Sequence, residues 1–194
     1  IGSNLGVFEM NSKGKIINYI PKHSLKIGFT SDNKFIETIT YAGVYVYDNV
    51  YQIQGKHYSK YEKKTPKLIV KIHNNKDKTY LISVFNGLFV HQNGKFKSYL
   101  FENIWKEKKF KHIAINNKGQ LVLAAEFGTV FIVDDSKKFK ILKTISKKEI
   151  IGNSINFLEC YKEYILIGTE KGVTIYHNGK IQFIDKEQGL KDYI

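Results

Sequence analysis

Residues 1–20, IGSNLGVFEMNSKGKIINYI, and residues 167–184, IGTEKGVTIYHNGKIQFI, read as two copies of one unit. Both run Ile-Gly-Ser/Thr-x-x-Gly-Val, an alternating stretch, a turn, then Gly-Lys-Ile and a second alternating stretch. Three more copies lie between them: FIETITYAGVYVYDN from Phe35, YLISVFNGLFVHQNGKF from Tyr80 and LVLAAEFGTVFIVDD from Leu121. Aligned on their anchor glycines, Gly6, Gly43, Gly87, Gly128 and Gly172, the copies recur at intervals of 37, 44, 41 and 44 residues. A period near forty marks a repeat architecture before any single element is assigned.

Each copy has the same anatomy. An apolar strand precedes a polar turn: Ile27–Thr30 before Ser31–Asn33, Leu68–Ile72 before Asn74–Asn75, His112–Ile115 before Asn116–Gly119, and Ile155–Leu158 before Tyr161–Glu163. A second strand leads to a short link that ends in the anchor glycine. A third leaves that glycine for another turn, at Asp48-Asn49, Asn93-Gly94, Asp134-Asp135 or Asn178-Gly179, and a fourth follows. Asn-Gly between alternating hydrophobics is a strong hairpin signal, because a type I′ turn needs positive φ at both central residues. The runs alternate with period 2, and none sustains a period of 3.6. The predicted fold class is therefore all-β, a β-propeller of four-stranded antiparallel blades. A β-sandwich also spaces its strands evenly, but it does not need five copies of one motif. The spacing predicts a partial blade at 1–20, blades at about 25–58, 67–100, 111–142 and 155–185, and a stub at 189–194. Because a blade cannot bury both faces alone, the expectation is a piece of a longer protein whose remaining blades are its first partner.

Composition narrows the function. The 194 residues are 42% hydrophobic and 25% charged, a globular balance, and no apolar run approaches the length of a membrane span. The net charge of +13 invites a polyanion, yet all 31 basic residues are lysine. Proteins that read bases or clamp phosphates lean on the planar fork of arginine, so no nucleic-acid partner is expected. Lys, Ile, Asn, Tyr and Phe make up half of the chain, and all five have A/T-rich codons, which is a sufficient source for the charge. The single cysteine, Cys160, excludes an internal disulfide and reads as a small buried or half-buried residue. No signal peptide is visible at residues 1–6.

The stretch from Leu166 to Leu190, LIGTEKGVTIYHNGKIQFIDKEQGL, resembles the two-component regulator propeller repeat. Ile167-Gly168-Thr169, Gly172-Val173, Tyr176 and Gly189-Leu190 carry the likeness. So do Ile1-Gly2-Ser3, Gly6 and Val7 in the first copy, and Thr40, Gly43, Val44, Tyr47 and Asp48 in the second. The repeat's tryptophan is replaced by Glu37, Leu81, Val122 and Leu166. The resemblance implies the periplasmic or extracytoplasmic sensor of a hybrid two-component system or related transcriptional regulator, of the Bacteroidetes type. Its implied partners are an oligosaccharide or other extracytoplasmic ligand, downstream signalling domains, and a possible second copy in the parent protein. The alternative is a structural propeller of a cell-surface or secretion component that binds protein or anionic polysaccharide.

No cofactor or metal is expected, and no enzyme activity for this segment. The Gly-Lys pairs at Gly14, Gly94 and Gly179 precede Ile or Phe and close hairpins, so they are not phosphate loops. The six histidines are scattered over different repeats, and Asp32, Asp48, Asp77, Asp134 and Asp135 lie in turns, where aspartate caps its own backbone. Binding residues concentrate on loops carried by a rigid scaffold, here the links before the anchor glycines. The candidate contacts are Tyr41, Phe85 and Phe127 as stacking rings, with Asn86 and Lys171 as polar groups. The same rings could instead pack between blades. Trp105 is either a sugar platform or a cap over the ring.

Overall fold

The computed structural model describes residues 2–3, 6–20, 26–39, 43–48, 56–59, 66, 68–84, 87–98, 109–136 and 139–189. Their strands form five antiparallel sheets, each built from consecutive strands. The first contains β1 (Gly2–Ser3), β2 (Gly6–Met10) and β3 (Ile16–Ile20). The second contains β4 (Lys26–Phe29), β5 (Phe35–Ile39), β6 (Gly43–Tyr47) and β7 (Lys56–Ser59), and the third β8 (Ile69–Asn75), β9 (Lys78–Ser83), β10 (Gly87–Gln92) and β11 (Lys95–Ser98). The fourth contains β12 (Phe110–Ile115), β13 (Leu121–Ala125), β14 (Val130–Asp134) and β15 (Lys140–Ile145), and the fifth β16 (Ile155–Tyr161), β17 (Tyr164–Thr169), β18 (Gly172–His177) and β19 (Lys180–Ile184). Among the described residues the one helical element is a 3-10 turn, Lys147–Glu149. This is the all-β, four-stranded blade pattern of a β-propeller. The chain divides into two compact units, Ile1–Lys106 with the first three sheets and Glu107–Ile194 with the last two.

The hairpins are closed as the Asn-Gly pairs require. Asn93 and Gly94 have φ of 50° and 69°, and Asn178 and Gly179 have 48° and 83°. Two turns fall later than the sequence suggests. β8 runs on through Asn74 and Asn75, and the turn is Lys76-Asp77; β16 runs on through Tyr161, and the turn is Lys162-Glu163. Lys76 and Lys162 take the left-handed conformation, at 54° and 53°, where lysine is uncommon and gives no turn signal. Asn74 stays in the ladder because its side-chain amide donates to the Phe29 carbonyl at 2.9 Å, tying β8 to the second sheet.

Strict alternation also fails, for two reasons. The central strands are covered on both faces: all five residues of β13, Leu-Val-Leu-Ala-Ala, are buried, as are Thr79–Ser83 of β9. A strand buried on both faces reads as a continuous apolar run. Bulges then shift the register. The innermost strands β8, β12 and β16 each carry one extra residue near their start, Val70, Lys111 and Asn156, and the outer strands β3 and β15 carry Ile17 and Leu142.

Within each unit, neighbouring sheets share a core. In the first, Ile36, Val44 and Val46 pack with Ile69, Leu81, Phe89 and Phe96. In the second, Ala114, Val122, Ala124, Val130 and Ile132 pack with Leu158, Ile165 and Ile167. Polar bonds cross the same seams. The buried Thr79 hydroxyl accepts from the Ser31 amide at 2.7 Å, and His112 Nε2 lies 3.1 Å from the Ile155 carbonyl. Glu37, which stands where the resembling repeat has tryptophan, is only 1% exposed. The hydroxyl of Tyr47 bonds its carboxylate, and burial together with the Glu37 charge raises the Tyr47 pKa far above its usual value. Tyr47 therefore remains a donor throughout the working pH range.

Gly172 shows what an anchor glycine does. Its φ is 151°, and a Cβ there would collide with the Ile184 carbonyl oxygen of the outermost strand. Gly179 also has positive φ, but nothing lies within 4 Å of its missing Cβ. Gly179→Ala is expected to cost about 1 kcal/mol of stability, the backbone term alone, and Gly172→Ala at least about 2 kcal/mol more. Denaturant melts of both variants, followed by far-ultraviolet circular dichroism, check this; equal losses would remove the steric role given to Gly172.

Candidate functional site

In sheets of consecutive strands, the two hairpin turns of each blade share one edge, while the link between its second and third strands shares the opposite edge with the crossovers between blades. The second unit presents its link edge from Lys109 onward, and its local chemistry follows the repeat motif residue by residue. Ile167 is fully buried toward the fourth sheet. Gly168 lies beneath the ring of Phe157, its partner across the ladder, and any Cβ would sit inside that ring. The Thr169 hydroxyl donates to the Ile151 carbonyl at 2.7 Å and accepts from the Lys171 amide at 3.2 Å. The Glu170 carboxylate accepts from the Asn153 and Ser154 amides at 2.9 and 3.0 Å. Buried Thr174 accepts from the Ile151 amide at 2.9 Å. Gly-Thr-Glu thus clamps the crossover 146–154 against the fifth sheet.

The corresponding link of the fourth sheet, Ala125–Thr129, is closed by its own backbone. The Ala125 amide donates to Thr129, Gly128 donates to Ala125, and the Glu126 amide donates to the Lys109 carbonyl at 2.8 Å. Phe127 is left at the tip, 76% exposed. The bulge at Lys111 brings its ammonium to 3.9 Å from the Glu126 carboxylate. That long, half-exposed pair is worth little, so the backbone bond to Lys109 holds the link. The Lys147 stem and the Asn153 carbonyl lie against Gly128, at 3.4 and 3.5 Å from where a Cβ would be. A continuous surface therefore runs from Lys109 through Phe127 and Gly128 to Asn153, Glu170 and Lys171.

Charge on this surface is lopsided. Lys109, Lys111, Lys147, Lys148 and Lys171 are all exposed. Three carboxylates face them, and each is engaged. Glu126 pairs with Lys111, Glu170 takes two amides, and Glu149 accepts from the Ser146 amide and hydroxyl at 2.8 Å. Hydrogen bonds from Ser154, Asn153 and its own amide hold Glu170 below the usual glutamate pKa, and the Ser146 bonds do the same for Glu149. What this edge offers a ligand is one protruding ring and ammonium groups.

Of the residues chosen from sequence, Phe127 and Lys171 lie on this edge of the second unit, on successive links. Phe127 is not packed between blades. Tyr41, Phe85, Asn86 and Trp105 lie outside the described residues. Lys111 and Lys147 join this edge without a signal in the sequence. The first reaches the edge through a bulge and the second through the 3-10 turn, and neither leaves a periodic signal. The turn aspartates do local work: Asp32 accepts from the Thr30 hydroxyl at 2.5 Å, Asp134 from the Ser136 amide and hydroxyl, and Asp48 pairs with Lys34 at 3.3 Å.

No protein-family model matches the chain, and no curated protein matches it. Solved structures do match in fold. The extracellular domain described as that of a hybrid two-component system from B. thetaiotaomicron superposes with a TM-score of 0.66 at 14% identity, over 94% of this chain and 25% of that one. Virginiamycin B lyase from Staphylococcus aureus superposes with a TM-score of 0.63 at 13% identity, over 94% of this chain and 63% of that one. PorZ, a surface component of the type-IX secretion system of Porphyromonas gingivalis, gives 0.64 at 12% identity, over 93% of this chain and 26% of that one. The chain spans less than two thirds of each of these proteins, and at such identities the shared property is the propeller fold.

Two outcomes are expected from this geometry. The depressed pKa of Glu170 means that its contribution is complete above the ordinary glutamate value of 4.5 and is lost as pH falls through the lowered one. Glu170→Gln should therefore be less stable than the parent at neutral pH, with the gap closing in acid; a gap independent of pH would show that the carboxylate charge is not what the amides hold. Cys160 pairs with Ile165 inside β16, and burial, helped by the Glu159 charge, pushes its thiol up to about 12. Its alkylation by iodoacetamide at pH 8 should be slow in the folded chain and fast in denaturant.

Proposed function

We propose that this chain is the ligand-binding propeller segment of an extracytoplasmic sensor, of the kind found in two-component systems or related transcriptional regulators, and that its link edge contacts a glycan. The observation that carries the reading is Phe127, held 76% exposed by a link fixed through its own backbone bonds and one from the Glu126 amide to the Lys109 carbonyl, with lysines on either side. A large ring kept in water on a rigid support is a platform for the C–H face of a sugar. The likeness in fold to the extracellular domain of a hybrid two-component system supports the same reading, as does the Gly-Thr-x-x-Gly motif. Tyr41, Phe85, Asn86 and Trp105 would extend the surface, with the parent protein's signalling domains and a second copy as further partners.

A second reading is favoured by the lysines themselves and by the likeness to PorZ: a cell-surface or secretion component that holds protein or anionic polysaccharide on the same edge. The segment is read as non-enzymatic in either case, although one fold neighbour is a lyase. Of the link acids of the second unit, Glu170 is held by two backbone amides, which takes it away from acid–base work.

A glycan array probed with the chain tests the first reading. Binding to neutral or acidic glycans is expected, weakened about tenfold by Phe127→Ala and by Lys171→Ala in variants with unchanged circular dichroism. Retention of full binding by both variants would move the contact away from this edge. Sequencing the parent gene separates the readings: a membrane helix followed by a kinase or helix-turn-helix domain means sensor, and a secretion-sorting tail means surface component.

A further inference from the structure

The hairpin-turn edge of the second unit carries a cleft of about 300 Å³ between the fourth and fifth sheets. It is built by an irregularity. Ile132 pairs with Lys143 and Val133 with Ile141, so Leu142 is an extra residue bulged out of β15. The equivalent pair in the fifth sheet, β18 with β19, runs without a break from Val173–Ile184 to His177–Lys180. The bulge leaves Leu142 44% exposed in the cleft, across from half-buried Tyr176 of the neighbouring sheet. Bulges recur beside binding sites because they re-aim a side chain at a fixed place.

The polar lining is organised too. Asn116 is consumed internally: its Oδ1 accepts from the Lys118 and Gln120 amides at 3.1 and 2.9 Å, and its Nδ2 donates to Gln120 Oε1 at 2.8 Å. That fixes the Gln120 amide and leaves its Nε2 hydrogens for another acceptor. Glu163 Oε2 and Asn178 Nδ2 each lie 3.0 Å from His177 Nε2, which serves one of them at a time according to its tautomer, and the imidazole lies tilted on the Tyr164 ring at 4.5 Å; Glu163 Oε1 is left available. Among the described residues, the Asn117 amide and the Tyr176 hydroxyl bond no other protein group. The cleft therefore offers a fixed donor, a carboxylate acceptor and two groups that can do either, set over an apolar wall.

We infer that this cleft is a second binding site, distinct from the link edge, for a neutral polyhydroxylated ligand the size of one sugar ring. Its volume is at the lower end of small-molecule sites. Hydroxyls donate and accept, so they match the mixed amide, hydroxyl and carboxylate rim, while the C–H face of a pyranose matches Leu142 and Tyr176. The Glu163 carboxylate disfavours an anion, and Lys118 and Lys143, which also line the cleft, disfavour a cation.

The test is nuclear magnetic resonance of the whole chain, with labelled Ile and Leu methyl groups, titrated separately with glucose, galactose, mannose and N-acetylglucosamine at millimolar concentration. At least one sugar is expected to move the methyl signals of Leu142 and Ile132. Asn117→Ala combined with Tyr176→Phe, which keeps the Tyr176 ring against the shared core and removes only its hydroxyl, should weaken that sugar about tenfold while the rest of the spectrum is kept. Phe127→Ala should leave it unchanged. If none of the four sugars moves the cleft signals, or if the shifts gather around Phe127 and Lys171, the cleft is not a sugar site; in the second case the link-edge reading survives without it.

Discussion

Burial of one sheet face against the next is the constraint on which the rest of this structure depends. Ala114, Val122, Ala124 and Ile132 leave water only because Leu158, Ile165 and Ile167 cover them, and the second and third sheets meet in the same way through Ile36, Val44, Leu81 and Phe89. A buried aliphatic side chain contributes about 1.5–3 kcal/mol, and no polar contact among the described residues competes with several of these acting together. The exposed ion pairs Lys34–Asp48 and Lys111–Glu126 are minor beside it. The local motif serves that burial. Gly168 admits the Phe157 ring, Gly172 clears the Ile184 carbonyl, and Thr169, Glu170 and Thr174 hold the crossover where the two sheets can close.

This arrangement leaves the edges of the blades to function. The interior strands have both faces occupied, so a ligand can reach only links, crossovers and hairpin turns. On the link edge the acids are spent on structure, and the groups left over are an exposed ring and ammonium ions. On the turn edge, one bulged leucine opens a cleft whose amides are only partly committed. In the second unit the two edges differ in chemistry because the clamp that pins crossover 146–154 takes its carboxylate and hydroxyls from the link edge. Fold neighbours with different roles, a sensor domain, a secretion component and a lyase, fit a scaffold whose core says little about what its edges do.

Buried polar groups in the first unit add specificity to the packing. Glu37 replaces an aromatic residue of the resembling repeat, yet it sits among Ile27, Phe35, Tyr45 and Tyr47 with the Tyr47 hydroxyl bonded to it. Thr30, Thr79 and His91, also buried, surround the turn that carries Asp32. Burial alone would raise the Asp32 carboxyl, but the Thr30 hydroxyl, its own amide and the His91 and Lys34 charges outweigh it and hold the pKa below the usual value.

The fold class is legible in consecutive residues. Five glycine-anchored copies at a period near forty, with Asn-Gly turns, leave a four-stranded blade as the solution, because turn chemistry and chain period are local properties written in consecutive residues. The sequence also marks the links as the place to look, and Phe127 and Lys171 stand there. Tertiary structure alone decided the rest. The turns at Lys76-Asp77 and Lys162-Glu163 each put a lysine at a left-handed φ, which the residue type does not announce and which the strands on either side hold. The bulges at Lys111 and Leu142 are register choices made by the neighbouring strand, invisible to any periodicity, and they put one lysine on the link edge and one leucine in the cleft. That Glu170 is spent depends on Asn153 and Ser154, far from it in sequence, and only the folded chain brings those together.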